Sequence, residues 1–89
     1  MSDPETALLT FPTDYPIKVI GRPSEEFRAR IHAIVLLHVP AIEAAHVTEH
    51  LSKNGNYLSI SYAIRADSRE QMTALAAALS ACEGVLLVI

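Results

Sequence analysis

The sequence predicts an α+β fold of the ferredoxin-like kind: a βαββαβ sandwich whose four-stranded antiparallel sheet carries two helices on one face. Three observations predict it. The polar run Lys53-Asn54-Gly55-Asn56 opens directly into Tyr57-Leu58-Ser59-Ile60-Ser61-Tyr62-Ala63-Ile64-Arg65, in which Leu58, Ile60, Tyr62 and Ile64 alternate with small or polar residues. Segments with helical periodicity lie on both sides of that hairpin. Outside each helical segment stands one more strand-like run. Two βαβ units with right-handed crossovers then place the first and third strands at the centre of the sheet.

Residues 1–13 lack sustained periodicity and contain Pro4 and Pro12. They read as an N-terminal extension, with Leu8, Leu9 and Phe11 available to pin part of it to a single domain over residues 14–89. Tyr15, Ile17 and Val19 alternate with Pro16, Lys18 and Ile20, giving a first strand over 15–21. Gly21-Arg22-Pro23 ends it. Ser24 is placed to cap a helix whose first turn holds Glu25 and Glu26, where carboxylates favour the positive end of the dipole. Phe27, Ile31, Ile34, Val35 and His38 form its apolar stripe, and Pro40 stops it.

Residues 44–52 read as a strand that pairs with 57–66. A second helix starts at Asp67 and Ser68, each with a capping-box partner three residues on, Glu70 or Gln71. Met72, Leu75, Ala76 and Leu79 make its buried stripe, and Gly84 suits the position after its end. Val85-Leu86-Leu87-Val88-Ile89 is a last short strand. Simple alternation puts Lys18, Ile20, Ser59, Ser61, Arg65, Leu86 and Val88 on the sheet face away from the helices. Such a face is half apolar, more than a monomer ordinarily leaves in water. Two covers suggest themselves: a homodimer through the sheet face or edge, or the N-terminal extension.

Composition narrows the classes. Eighty-nine residues with 51% hydrophobic and 19% charged content make one globular domain. A net charge of −3 and a pI near 5.7 argue against nucleic acid as partner, since phosphate binding needs concentrated positive charge. No apolar run approaches the roughly 20 residues that span a bilayer, and the acidic start is unlike a signal peptide. With the single cysteine, Cys82, these features predict a cytoplasmic protein without membrane contact.

Candidate chemistry is sparse. His46-Val47-Thr48-Glu49-His50 matches the His-x-x-Glu-His order of inverted zinc proteases. Metal binding needs both imidazoles on one helical face, whereas on a strand they stand ~13 Å apart. Two solvent-facing histidines on an edge strand, with no metal, is the expectation. Cys82 lies beside Glu83, and a neighbouring acid raises rather than lowers a thiol pKa, so it reads as a small packed hydrophobe and not a reactive nucleophile. His38 reads as a helix-end residue facing its own carbonyls. No nucleophile has a base and an orienting partner at recognisable spacing, which predicts no enzyme and no cofactor. The 21–24 loop offers the amides of a helix start with Arg22 and Ser24 beside them, a generic anion or carboxylate site. A plain capped helix start is the competing reading.

Phe11-Pro12-Thr13-Asp14-Tyr15-Pro16-Ile17-Lys18-Val19-Ile20-Gly21 and Ser52-Lys53-Asn54-Gly55-Asn56-Tyr57-Leu58-Ser59 carry a family resemblance. They are similar to the Phe-Pro-x-x-x-x-x-Lys-Val-x-Gly and Ser-x-x-Gly-x-Tyr-x-Ser stretches of the YbeD-like family of small bacterial proteins. Leu86 and Leu87 stand where members of that family often carry a basic residue. The resemblance implies a fold akin to the ACT regulatory domains and a family without a settled activity. By position it implies effector binding at Gly21, Arg22 and Ser24. The expected function is a non-enzymatic regulatory module that binds a small effector or a partner protein. The alternative is an adaptor that uses the sheet face (Lys18, Ile20, Ser59, Ser61, Arg65) and no metabolite.

Overall fold

The computed structural model describes residues 10–89, in the order β1 (Thr13–Gly21), α1 (Glu25–His38), a 3-10 turn (Ala44–His46), β2 (Val47–Leu51), β3 (Leu58–Ala66), α2 (Arg69–Ser80) and β4 (Val85–Val88). The sheet runs β2-β3-β1-β4 and every pair is antiparallel. This is the expected βαββαβ sandwich with β1 and β3 central. Both strands extend over nine residues because their inner positions form an unbroken apolar column. Ile17 and Val19 face Tyr62 and Ile60, while Phe27, Ile31 and Val35 of α1 and Met72, Leu75 and Leu79 of α2 close over them.

Caps behave as their chemistry requires. The Ser24 hydroxyl accepts from the Phe27 amide at 3.0 Å. Of the two possible starts for α2, Ser68 is the cap, accepting from the Gln71 amide at 3.1 Å. The Gln71 side chain accepts from the Asp67 amide and donates to the His38 carbonyl at 2.9 Å, tying the start of α2 to the end of α1. In the hairpin, the Ser52 hydroxyl gathers the amides of Asn56 and Tyr57, and Gly55 takes the positive φ of 74° that closes the turn.

Four boundaries differ from the sequence reading. β1 begins at Thr13, two residues early, and Phe11 before it already packs against the core. Leu8 and Leu9 lie outside the described residues. Residues 44–46 are not strand: the His46 amide turns back to the Glu43 carbonyl and the Glu43 amide to His46 Nδ1, so the chain coils there and β2 is only five residues long. α2 ends at Ser80 with Ala81 as its C-cap, so Gly84 turns the chain into β4 instead of closing the helix.

The fourth concerns β4. Ile20 pairs with Leu87 but Gly21 pairs with Val85, leaving Leu86 as an extra, bulged residue. The alternation therefore slips by one. Val88 sits opposite the buried Val19 on the helix side, and Leu87 is on the open face. Reciprocal bonds between Lys18 and Ile89, 3.0 and 2.9 Å, place Ile89 there too. Val88 thus gives way to Leu87 and Ile89 on the open face, and the bulged Leu86 is exposed.

Candidate functional site

The open face is built from alternate residues of all four strands. Registers align Asp14 with Arg65, Pro16 with Ala63, Lys18 with Ser61, and Ile20 with Ser59, all pointing away from the helices. Lys18, Ile20, Ser59, Ser61 and Arg65 are therefore together on one surface. Its two halves differ. Toward β2 it is polar, with Thr48 and His50 beside Ser61 and Ser59. Toward β4 it is apolar: Ile20, Leu87 and Ile89 lie side by side, with Lys18 at their edge next to Ser61, and Leu87 is 50% and Ile89 67% exposed. At the far end Arg65 and Asp14 form an exposed cross-strand ion pair at 3.0 Å, a contact that water screens.

Main-chain direction follows from the same registers. Lys18 exchanges both its bonds with Ile89, so its neighbours Ile17 and Val19 turn theirs toward β3. Pro16 shares Lys18's direction, and β4 pairs with β1 only beyond it. Its missing N–H falls where no strand among the described residues lies, which is why a central strand tolerates it.

The 21–24 loop has a different character. Gly21 is buried, and a Cβ there would collide with Phe27 Cζ and stand 2.5 Å from the Gly84 carbonyl oxygen. This glycine is a packing residue, covered by a ring. Ser24's hydroxyl is occupied by the helix cap. Arg22 is exposed, its guanidinium carbon 5.7 Å from the centroid of the Tyr57 ring, a cation–π contact between the loop and the β2–β3 turn. The structure places the three residues together, but only Arg22 has a side chain turned to solvent without a hydrogen-bonding task.

A polar relay that sequence reading missed lies between α1 and the β2 edge. Tyr62, 2% exposed, hydrogen-bonds through its hydroxyl to His32 Nδ1 at 2.5 Å. The other ring nitrogen of His32 is 3.6 Å from Glu49 Oε2, and Glu49 Oε1 is 2.8 Å from Arg28 Nε. That last N–H is not aligned for a hydrogen bond, so the contact is one of charge. Burial, and secondarily the Glu49 carboxylate, push the Tyr62 phenol far above its ordinary 10. One signal could have revealed the relay: an inward tyrosine on a core strand needs a partner for its hydroxyl, and His32 and Glu49 both fall on inner positions nearby.

The remaining histidines have local roles. His38 Nδ1 lies 2.9 Å from the Ile34 carbonyl, as its place near the helix end suggested. His46 is in the 3-10 turn, not on the edge strand; His50 is on β2, and both are exposed. Among the described residues no three His, Cys, Asp or Glu side chains converge on a point that could hold a metal. Cys82 is half-buried against the core with its Sγ 3.7 Å from the Glu83 carbonyl.

A four-stranded antiparallel sheet in this order with two helices on one face defines an ACT-like α+β domain. The chain belongs to the family described as "Protein of unknown function (DUF493)", whose model matches residues 6–89. The YbeD-like resemblance is thereby confirmed. The chain is 42% identical over 76 residues to a UPF0250 protein of Bordetella parapertussis, covering 85% of this chain and 84% of that one. A UPF0250 protein of Hahella chejuensis is 36% identical over 88 residues, covering 99% and 97%.

Among solved structures it resembles the ACT domain from GTP pyrophosphokinase of Chlorobium tepidum, with a TM-score of 0.61 and 18% identity over 86% of this chain and 97% of that one. It also resembles the C-terminal domain of the MgtC protein from Mycobacterium tuberculosis, with a TM-score of 0.66 and 17% identity over 92% and 89%. At these identities the likeness is one of fold. No helix among the described residues is long and apolar enough to cross a membrane.

Proposed function

We propose that this chain is a non-enzymatic cytoplasmic regulatory module that acts by binding protein through the β1–β4 half of its open sheet face. Its occupant there is a second copy of the chain. The observation that carries this reading is the apolar cluster of half-exposed Ile20 with exposed Leu87 and Ile89, which no other element among the described residues covers. A two-fold axis through that cluster sets apolar side chains against their own copies and leaves Lys18 at the rim. The edge strand itself carries no charged residue, the usual guard against pairing with another chain.

Domains of ACT-like form generally bind small effectors. An effector at Gly21, Arg22 and Ser24 would meet a glycine closed off by Phe27, a serine engaged as a cap, and the carboxylates of Glu25 and Glu26. The geometry gives more support to a protein than to a small anion. Binding rather than catalysis is favoured because His32, His38 and His46 already hold partners inside the chain.

Sedimentation velocity at high micromolar concentration tests the reading. A dimer is expected for the parent chain and for Arg22→Ala, and a monomer for Ile20→Asp. A strict monomer of the parent chain overturns it. A thermal shift with amino acids or nucleotides that Arg22→Ala abolishes would put the effector in its place.

A further inference from the structure

Where β2 forms the edge of the sheet, a cleft of about 370 Å³ lies between it and α1. Two periodicities build it. His32 and Leu36 are four residues apart on α1 and share the helix face beside β2. Val47 and Glu49 are two apart on β2, opposite Tyr62 and Ile60, and so face the helix side. Leu36, Ile42 and Val47 give the cleft apolar walls, and Leu36 is 53% exposed with no described residue packed over it.

One group in this cleft is left without a donor. The Glu49 side chain is only 30% exposed, yet its carboxylate accepts no aligned hydrogen bond from any described residue. His32 Nε2 stands 3.6 Å away, beyond hydrogen-bonding reach, and the N–H of Arg28 Nε is not aligned with the oxygen 2.8 Å from it. The charge is also uneven. Arg28 donates to Glu25 at 2.8 Å as well, so one guanidinium serves two carboxylates, and Glu43 adds another at the cleft.

We propose that this cleft binds an organic ammonium group carried on an apolar stem. The ammonium donates to the Glu49 carboxylate, with Glu43 adding attraction, and the stem lies against Leu36, Ile42 and Val47. Chemistry selects this class. An anion would meet two carboxylates, and a neutral apolar molecule would bury Glu49 further without giving it a donor. A bare metal ion lacks its ligands, since no three His, Cys, Asp or Glu side chains converge among the described residues. The cleft is on the helix side of β2, at the other edge of the sheet from Leu87 and Ile89, so this binding is independent of dimerisation.

The test titrates the full chain with two carriers of the group, phenethylamine and Nα-acetyl-lysine N-methylamide. Phenethyl alcohol, which keeps the ring and lacks the charge, is the control. Calorimetry reads affinity and amide chemical shifts read location. At least one amine should bind saturably, with shifts gathered on residues 32–36 and 42–49, and the alcohol should bind at least about tenfold more weakly than phenethylamine. The tighter amine assigns the source, a free aromatic amine or a lysine side chain of a partner protein. Glu49→Gln keeps the shape and removes the charge, and should weaken the tighter amine by about tenfold or more. Leu36→Ala, a change at an exposed position, should weaken it severalfold and keeps the test valid if Glu49→Gln folds poorly. The proposal is overturned if neither amine binds saturably, if the alcohol binds as tightly as phenethylamine, or if the shifts fall elsewhere. Unchanged affinity in a folded Glu49→Gln chain, or in Leu36→Ala, overturns it too.

Discussion

The Tyr62 hydroxyl and His32 Nδ1 are 2.5 Å apart, an edge-on pair of rings at 85° that joins the centre of β3 to the solvent side of α1. The two partners are unequal, since Tyr62 is fully buried and the His32 side chain is 38% exposed. Removing the phenol oxygen leaves an imidazole that water can reach. Removing the imidazole leaves a hydroxyl deep in the core. His32→Ala should accordingly cost about 1–3 kcal/mol, and Tyr62→Phe nearer ~1 kcal/mol. Adding Tyr62→Phe to His32→Ala should recover part of the loss, a sign that urea unfolding of the four chains in a double-mutant cycle will read directly.

The same phenol sets an alkaline limit. Burial first, and the Glu49 carboxylate second, raise the folded-state value far above the ordinary 10. Below 10 both folded and unfolded chains carry the proton, so the contribution to stability is intact. Above 10 the unfolded chain releases it while the folded chain holds it, and stability falls with rising pH by up to about 1.4 kcal/mol per unit. Unfolding free energies measured between neutral pH and strong alkali should show this slope in the parent chain and a shallower one in Tyr62→Phe. Equal slopes would mean that the phenol titrates freely in the fold.

How much of this was legible beforehand depends on the range of the interaction. The hairpin, both helix starts and the central position of β1 and β3 are local patterns or follow from chain order; Ser24 and Gly55 announce theirs in single residues, whereas the second helix offered Asp67 or Ser68 and the structure caps it with Ser68. The open face was legible on β1 and β3, where alternation is regular. It failed on β4 because one bulged leucine shifts every later side chain, and nothing in Val85-Leu86-Leu87-Val88-Ile89 marks which leucine is extra. The relay joins residues 28, 32, 49 and 62, which only the packing of α1 on the sheet brings together.

Gly21 gives a test of packing against backbone freedom. A methyl group there collides with the Phe27 ring and the Gly84 carbonyl, so Gly21→Ala should destabilise by about 1–3 kcal/mol through overpacking. At Gly55 φ is +74° and a methyl group would meet no atom within 4 Å, so Gly55→Ala should lose only about 1 kcal/mol, from conformation alone. Thermal melts will separate the two, at several degrees per kcal/mol in a domain of this size. A partial rescue of Gly21→Ala by Phe27→Leu would identify the ring as the obstacle.

The bulge makes the last prediction, because it decides which of two adjacent residues serves the core. Val88 is opposite Val19 on the helix side and packs against the core, whereas Leu87 is opposite Ile20 on the open face. Val88→Asp brings a charge against that apolar interior and should unfold the domain or cost several kcal/mol. Leu87→Asp meets water in the monomer, and a surface change of this kind alters stability by about 0.5 kcal/mol or less. Its effect should appear instead in sedimentation, as loss of the dimer. Urea melts and sedimentation of the two variants side by side therefore read fold and association separately. A Leu87→Asp chain that unfolds while Val88→Asp stays folded would reverse the register of β4 and move the proposed interface with it.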